Sequence, residues 1–457
     1  MKRNVYSKLV EWKNKPSGRR KPLILEGARQ TGKTWLAREL GRNEFESFVE
    51  VNFEDSEQLR SIFEMDFDID RILLSIQSAT GTKVEPSKTL LFFDEIQHAR
   101  RGLLSLKYFH DKAPQYHIIA AGSLLGVIDH KDDSFPVGKV DFINVHPLTF
   151  DEFLCALGKD GLADMLRTLD WKTIEPFAPN YIEMLRQYYY VGGMPEAVLT
   201  FAEEKDYNAV RTVQNNLLKS YERDFSKHPP KEIVQRMIMV WNSVPSQLAK
   251  ENKKFVYTAV RPSARARDFE TSIQWLCNAG VVSKVTRISA GWLPLKGYED
   301  ADSFKLYLLD IGLMGAIAGL DAKSLVDGDE FFSQYKGALT EQFVFQQISV
   351  NEDMEIHYWT PDVGTAEVDF IIQFGDMIVP LEVKAEKNLK AKSLGLFINQ
   401  YGASSVVRTS MAPFEQGKTI TDLPLFAIML LPEVIDNIRQ QNVRIEPNIR
   451  HKNVRDK

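Results

Sequence analysis

The sequence predicts an α/β protein with a parallel sheet at its N-terminus, a mainly helical middle and a second α/β part. Short apolar strands alternate with helical stretches over the first 150 residues, which is typical of a parallel sheet with helices on both faces. After Pro147 helical stretches dominate, and apolar strands return near residues 366–373 and 378–385. These two changes of pattern define the expected architecture.

The individual elements follow from apolar periodicity. Residues 89–93 are apolar enough to lie centrally in a parallel sheet. The N-terminal strands are predicted at 21–26, 48–52, 89–93 and 117–121, with a helix at 33–40. Middle helices are predicted at 150–157, 181–190, 209–225 and 263–278, followed by a hairpin with strands at 281–287 and 292–298. Two helices followed by a hairpin indicate a winged helix.

We expect five consecutive parts. The last of them is basic and lacks apolar periodicity, so it is predicted to be a solvated tail. The parts are a sheet domain (1–155), a helical lid or linker (156–230), a winged-helix domain (231–325), a second α/β domain (326–435) and a tail (436–457).

The composition excludes several classes of protein. The 457 residues are 44% hydrophobic and 26% charged, which is the balance of a soluble globular protein. No apolar stretch approaches the ~18 residues that a membrane span needs, and no apolar segment follows the basic N-terminus as in a signal peptide. Cys155 and Cys277 stand alone, which excludes a disulfide scaffold and favours a cytoplasmic location.

The net charge of −5 conceals two basic segments. Residues 1–42 carry a surplus of nine positive charges and residues 248–296 a surplus of six. Basic surfaces on an acidic body suit ligands that contain phosphate, although each segment could equally be a solvated helix face.

Residues 27–34 match the phosphate-loop (P-loop) pattern GxxxxGK[ST], between a predicted strand and a predicted helix. The pattern predicts that backbone N–H groups hold the phosphates of ATP, that Lys33 reaches the β and γ oxygens, and that Thr34 binds Mg²⁺. The predicted nucleotide-binding residues are Gly27, Ala28, Arg29, Gln30, Thr31, Gly32, Lys33, Thr34 and Trp35.

Two acids follow the apolar strand at 89–93. Asp94 is expected to hold Mg²⁺, and Glu95 is expected to polarise the attacking water, which indicates ATP hydrolysis rather than binding alone. Ser123 follows the strand at 117–121 and is a candidate sensor of the γ-phosphate, although a polar residue without that role is equally consistent.

Further motifs occur in order between residues 20 and 430, at 135–140, 146–154, 190–197, 309–313, 341–344, 358–359, 367–370, 382–384 and 423–425. They resemble a family of prokaryotic AAA-family (AAA+) ATPases with a C-terminal domain of unknown function. The resemblance implies an AAA+ fold and a ring-like homo-oligomer in which a neighbour completes the ATP site. The family usually has arginine where this chain has Lys139, so we consider Arg223 as an alternative arginine finger.

Glu341, Asp369, Glu382 and Lys384 form a candidate second site. Asp369 and Glu382 are expected on neighbouring strands, with Lys384 on the same face as Glu382 and Glu341 on a preceding helix. Two carboxylates and the carbonyl of Val383 would suit Mg²⁺, and Lys384 alone would leave a formal charge of −2 for the ion to neutralise. The set resembles the restriction-endonuclease-like (PD-(D/E)XK) core, whose metal activates the nucleophile that attacks DNA.

Two alternatives remain open for this set: a salt-bridged surface, or a nuclease-like fold without catalysis. Lys387, Lys390 and Lys392 follow at helical spacing and could contact phosphates or remain solvated. His110, His357 and His451 have no metal-ligand spacing, and we interpret them as structural or surface residues.

The predicted winged helix places Arg265 and Arg267 at the start of its second helix, the end that enters a DNA groove. A winged helix that serves only for packing is the alternative. The sequence therefore favours a Mg²⁺-dependent ATPase that acts on DNA, and a nucleotide-controlled signalling or defence switch with a nuclease-like effector or binding module is the second hypothesis.

Overall fold

The computed structural model describes residues 1–122, 135–227, 229–251, 253–322, 330–385, 392–403 and 405–440, and the side chains of 330–334 are not described. Ser123, Lys387, Lys390, His451 and most of the predicted tail lie outside the described residues. Within the described ranges, no helix is long and apolar enough to cross a membrane.

The N-terminal domain is built on a five-stranded, all-parallel sheet in the order β2-β3-β4-β1-β5. Its strands are β1 (Leu23–Glu26), β2 (Ser47–Asn52), β3 (Thr89–Asp94), β4 (His117–Ala121) and β5 (Asp141–Asn144). The helices around it are α1 (Val5–Asn14), α2 (Lys33–Glu44), α3 (Glu57–Met65), α4 (Ile69–Thr80) and α5 (Gly102–Lys112).

Side chains alternate along each strand, so the sheet buries one apolar set on each face. Leu90 and Phe92 pack with α1 and α2, whereas Leu91 and Phe93 pack with α3, α4 and α5. The predicted parallel sheet with helices on both faces is confirmed.

The middle of the chain is helical. Its helices are α6 (Phe150–Ala156), α7 (Asp160–Arg167), α8 (Trp171–Ile174), α9 (Ala178–Val191), α10 (Pro195–Glu204), α11 (Tyr207–Phe225), α12 (Lys231–Leu248), α13 (Tyr257–Val260) and α14 (Ala266–Asn278).

A mixed eight-stranded sheet follows, in the order β12-β13-β11-β10-β9-β8-β6-β7. Its strands are β6 (Val282–Ile288), β7 (Glu299–Leu308), β8 (Met354–Trp359), β9 (Val368–Phe374), β10 (Met377–Val383), β11 (Val406–Ser410), β12 (Glu415–Gln416) and β13 (Ile420–Pro424). The accompanying helices are α15 (Ile311–Ile317), α16 (Glu330–Ile348) and α17 (Lys392–Tyr401).

The hairpin differs from the sequence prediction. Residues 292–298 do not form its second strand; they form a loop that ends in a 3-10 turn, Leu295–Tyr298, and the strand is β7. Pro294 lacks the N–H that a strand ladder needs, and the first half of β7 is polar and mostly exposed, so its sequence pattern resembles a loop.

The expected boundary between 231–325 and 326–435 also differs from the structure. Arg287 and Ile288 of β6 pair in parallel with Tyr358 and Trp359 of β8, so the hairpin extends the C-terminal sheet. The two parts share one sheet because the end of β6 supplies the ladder partner for the edge of β8.

A buried joint connects the helical middle to the C-terminal part. Gly193 N and Gln346 Nε2 donate to Asp310 Oδ2 at 2.6 and 3.1 Å. Gln347 Oε1 accepts the backbone N–H of Phe150, the first residue of α6, at 2.7 Å. Three of the motifs found in the sequence therefore meet here, and we call Gly193, Asp310, Gln346 and Gln347 the interdomain joint.

Candidate nucleotide site and carboxylate–lysine cluster

The P-loop joins β1 to α2 with a backbone that requires glycine. Gly27 has φ +129° and Gly32 has φ +100°, a region that disfavours L side chains. A Cβ on Gly27 would lie 2.3 Å from the carbonyl oxygen of Val145. The loop leads directly into the N-terminus of α2, a twelve-residue helix, and the free N–H groups and dipole at that end favour an anion.

Lys33 is buried and points back into the loop. Its Nζ donates to the carbonyl oxygens of Gly27 and Ala28 at 2.8 and 2.7 Å. Burial lowers the pKa of Lys33 to about 8, while Glu95 and Asp94 oppose that shift. The ammonium is therefore already held within the P-loop.

Thr34 and Asp94 meet across the cleft. Thr34 Oγ1 donates to Asp94 Oδ2 at 2.9 Å. Burial raises the pKa of Asp94, and the neighbouring Glu95 carboxylate contributes to the rise. A hydroxyl oxygen and a carboxylate oxygen at this separation are the hard oxygen ligands that Mg²⁺ prefers, so the pair fits this ion.

Glu95 adopts a left-handed backbone conformation (φ +50°) directly after β3. Gln97 Nε2 donates to its carboxylate, which lies 3.9 Å from the guanidinium of Arg29. The cleft has a volume of about 430 Å³ and its lining includes Lys33, Thr34, Trp35, Asp94 and Glu95. Sequence-predicted residues from the P-loop and from the end of β3 are thus brought together.

The cleft also contacts the helical middle, which the sequence did not predict. Arg29 forms an ion pair with Asp224 of α11 at 3.0 Å, and Tyr221 OH donates to the carbonyl oxygen of Arg29 at 2.6 Å. Glu54, Pro195 and Glu196 also line the cleft. The motif at 190–197 was the only available signal for the last two.

Neither arginine-finger candidate lies in this cleft. Lys139 forms an ion pair with Asp111 of α5 at 2.7 Å, and Arg223 is exposed on α11 while its neighbour Asp224 faces the P-loop.

The second candidate site lies at the ends of β9 and β10. Asp369 Oδ2 accepts the backbone N–H of Val383 at 2.8 Å, and Lys384 Nζ lies 2.5 Å from Glu382 Oε1. Glu382 Oε2 is buried, and no described residue donates to it. Burial raises the pKa of Glu382 to about 7, and the Asp369 carboxylate adds to the effect.

Two lysines that the sequence did not predict complete this cluster. Glu341 is 1% exposed and accepts hydrogen bonds from Lys253, from Lys305 Nζ at 3.0 Å and from Tyr307 OH. Burial alone would raise the pKa of Glu341, but the two lysines lower it to about 2. No local motif marks Lys253 or Lys305, because each comes from a distant part of the chain.

The charge balance predicted from the sequence is therefore wrong. Lys305 also lies 2.6 Å from Glu367, and Lys253 lies 3.6 Å from Asp369. Four acids face three lysines, which leaves a formal charge of −1 rather than −2. We call Lys253, Lys305, Glu341, Glu367, Asp369, Glu382 and Lys384 the carboxylate–lysine cluster.

His357 has a structural environment. Its Nδ1 lies 3.0 Å from Thr286 Oγ1 and its Nε2 lies 2.9 Å from Glu355. Among the described residues, Glu299, Glu355 and His357 are the one group of three metal-ligand side chains close enough to share an ion. Both ring nitrogens already have protein partners, so this group is better explained as packing.

Arg265 and Arg267 are exposed at the start of α14. The backbone N–H of Arg265 lowers the pKa of Asp268, and the positive charges of Arg267, Arg261 and Arg236 lower it further. Arg236 and Arg261 therefore lie near the same helix start. Elsewhere in the basic segment, Lys253 and Arg287 face acids of the protein, so only part of the positive surplus reaches the surface.

Comparisons with known families give one informative description. Residues 19–154 match the family model described as an AAA domain. Residues 182–324 and 336–428 match models described as domains of unknown function (DUF8612 and DUF4143). No curated protein matches the chain.

Several solved structures share a partial likeness. The Walker-type ATPase PABY2304 of Pyrococcus abyssi is 13% identical, with 69% of this chain and 95% of that chain covered and a TM-score of 0.42. A DNA replication initiation factor is 15% identical, with 58% and 82% covered and a TM-score of 0.23. AMPPCP-bound DnaA from Aquifex aeolicus is 14% identical, with 59% and 86% covered and a TM-score of 0.22.

These TM-scores lie below 0.5, so the assignment depends on the AAA match and on the geometry of the loop. The glycine-rich turn, the buried lysine and the threonine–aspartate pair all lie within the matched range. The N-terminal domain is therefore a nucleotide-binding, P-loop ATPase-like domain of the AAA type.

Proposed function

We propose that the protein is a Mg²⁺-dependent ATPase that acts on DNA. The observation that carries the ATPase proposal is the Thr34–Asp94 contact of 2.9 Å, with Glu95 lining the same cleft. A P-loop supplies phosphate binding, and the adjacent acid supplies a base for water. Such positioning and charge stabilisation account for most of the catalysis of phosphoryl transfer.

Each residue has a defined task in this mechanism. The loop N–H groups and the Lys33 ammonium bind the phosphates, and Thr34 and Asp94 would hold the Mg²⁺, which supplies charge neutralisation. Glu95 orients the attacking water and accepts its proton. Hydrolysis in a ring would also require a cation from a neighbouring copy, which is consistent with Lys139 and Arg223 lying outside the cleft.

The DNA proposal is supported by the arginines around the start of α14. Arg265 and Arg267 are exposed, and Arg236 and Arg261 extend the positive surface. A helix N-terminus that carries arginines suits phosphate contacts. Remodelling or unwinding of branched or single-stranded DNA would use this surface while the AAA domain hydrolyses ATP.

The test is the ATPase rate measured across a panel of single-stranded, duplex and branched DNA. We expect at least one DNA to stimulate turnover, and we expect Glu95→Gln to bind ATP without hydrolysing it.

Arg265→Ala with Arg267→Ala should weaken DNA binding and flatten its salt dependence by about one unit of slope per lost phosphate contact. Lys172→Ala with Lys219→Ala, which removes two exposed lysines from other helices, is the matched control. An unchanged salt slope in the arginine variant would reject the DNA surface.

A nucleotide-controlled switch is the second candidate, and the Arg29–Asp224 ion pair favours it. This contact joins the P-loop directly to α11, so phosphate binding would compete for Arg29. Slow turnover without stimulation by any DNA would favour the switch.

We also propose that Asp369 and Glu382 bind Mg²⁺ or Mn²⁺ as a second site, with Lys384 beside them. Glu382 Oε2, which is buried and accepts no hydrogen bond from a described residue, supports this proposal. Metal-dependent nicking of DNA that is lost in Asp369→Ala would identify a nuclease, and the absence of cleavage would leave a binding or effector module.

A further inference from the structure

The carboxylate–lysine cluster already contains a cation at its centre. Lys253 Nζ contacts Glu341 Oε2 and lies 3.6 Å from Asp369 Oδ1. Its charge also acts on Glu382. The ammonium of Lys253 therefore contacts Glu341 and lies near Asp369, two of the three carboxylates that the sequence indicated as a metal site.

Lys253 reaches this position from another part of the chain. It belongs to the segment between α12 and α13, whereas the three acids belong to α16, β9 and β10. The residues after it are fixed to β7: Lys254 Nζ donates to Ser303 Oγ at 2.8 Å, and the backbone N–H of Phe255 donates to the carbonyl oxygen of Phe304 at 2.8 Å. The segment thus holds the lysine at the site from outside the α16–β9–β10 unit.

We propose that Lys253 is an internal competitor of the divalent cation, so that this carboxylate site binds metal only when Lys253 withdraws. This inference rests on the proposed second metal site. An ammonium and a divalent ion cannot occupy the same position between Glu341 and Asp369, because their mutual repulsion in a buried place is strong. Lys305 remains on the other oxygen of Glu341 at 3.0 Å, so withdrawal of Lys253 does not leave that acid without a partner.

A divalent ion can replace the positive charge of Lys253 at this site. When Lys253 is neutralised, Glu341, Asp369 and Glu382 lose a shared positive charge and the folded state is destabilised. A divalent ion restores that charge through oxygen ligands, which manganese accepts readily.

The test measures Mn²⁺ binding and thermal unfolding of the full chain without nucleotide, with Asp94→Ala in every protein compared so that the nucleotide cleft does not hold the ion. Lys253→Gln should bind Mn²⁺ at least tenfold more tightly than the unmodified protein, as counted by electron paramagnetic resonance of free Mn²⁺. It should unfold at a lower temperature without metal, and millimolar Mn²⁺ should restore the loss. Lys250→Gln is the matched control, since it removes an exposed ammonium three residues before Lys253 and should not change Mn²⁺ affinity.

Asp369→Asn separates the two proposals. Equal Mn²⁺ affinity in Lys253→Gln and the unmodified protein, abolished in both by Asp369→Asn, would overturn the role of Lys253 and keep the metal site. Binding that survives Asp369→Asn, or no binding in any variant, would reject both. If Lys253→Gln fails to fold, Lys253→Met repeats the measurement, and failure of Mn²⁺ to rescue either variant overturns the proposal.

Discussion

At the scale of single residues, Lys33 is the group whose removal has the most direct consequence. Its ammonium lies within the P-loop and donates hydrogen bonds to two carbonyl oxygens of the loop. Lys33→Ala removes the main cation facing the phosphates, so we expect ATP to lose its stabilising shift of the melting temperature, measured by differential scanning fluorimetry. Arg38→Ala is the control, because Arg38 lies on the same helix and pairs with Glu50. An ATP shift that persists in Lys33→Ala would contradict the phosphate-loop assignment.

His117 gives a pH dependence with a defined sign. It is 5% exposed, and burial lowers its pKa to about 4. A lowered folded-state pKa contributes stability that is present above the unfolded pKa of about 6.5 and is lost as the pH falls towards 4. Between pH 7 and 5 we expect His117 to account for a loss of about 2 kcal/mol in the free energy of unfolding.

Urea unfolding at both pH values checks this expectation. His117→Gln should show a smaller pH dependence, since the amide does not titrate, whereas His98→Gln on the exposed turn after β3 should behave as the unmodified protein. Equal pH dependence in all three proteins would mean that His117 is not an acid-sensitive group.

At the scale of elements, the close approach at Gly193 fixes how α9 and α10 meet the segment that joins β5 to α6. A Cβ there would lie 2.2 Å from the carbonyl oxygen of Leu148. We expect Gly193→Ala to lower the free energy of unfolding by about 3 kcal/mol through overpacking. Gly337→Ala is the contrast, because Gly337 is an exposed residue of α16 with open space around it and should gain up to about 1 kcal/mol. Chemical unfolding of both variants gives the comparison, and equal effects would refute the close approach.

The elements also show what could be predicted from the sequence. Apolar runs such as β3 are buried along their whole length, so their pattern identified them. The strand β7 was missed because its first residues, Glu299 to Asp302, are polar except for Ala301, and its apolar half follows only from Phe304. Lys253 and Lys305 were missed because tertiary contacts, rather than local spacing, bring them to Glu341.

At the scale of the whole molecule, the shared sheet determines which fragments fold. A fragment of residues 326–440 lacks β6 and β7, so β8 becomes an exposed edge. It also lacks Lys253 and Lys305, which leaves Glu341 buried without its cations. We expect this fragment to be unfolded or aggregated and 146–440, which keeps the hairpin and the interdomain joint, to melt cooperatively, as followed by circular dichroism. Cooperative melting of 326–440 would show that the hairpin is dispensable.

The helix α16 holds two sets of side chains in fixed angular relation. Glu341 faces the carboxylate–lysine cluster, and Gln346 and Gln347 face the interdomain joint. One residue inserted between them would turn one set by about 100° and advance it by about 1.5 Å relative to the other. After such an insertion the helix could keep either the ion pairs of Glu341 or the hydrogen bonds of the two glutamines, but not both. An insertion or deletion between positions 341 and 346 would therefore disrupt either the contacts of the carboxylate–lysine cluster or those of the interdomain joint.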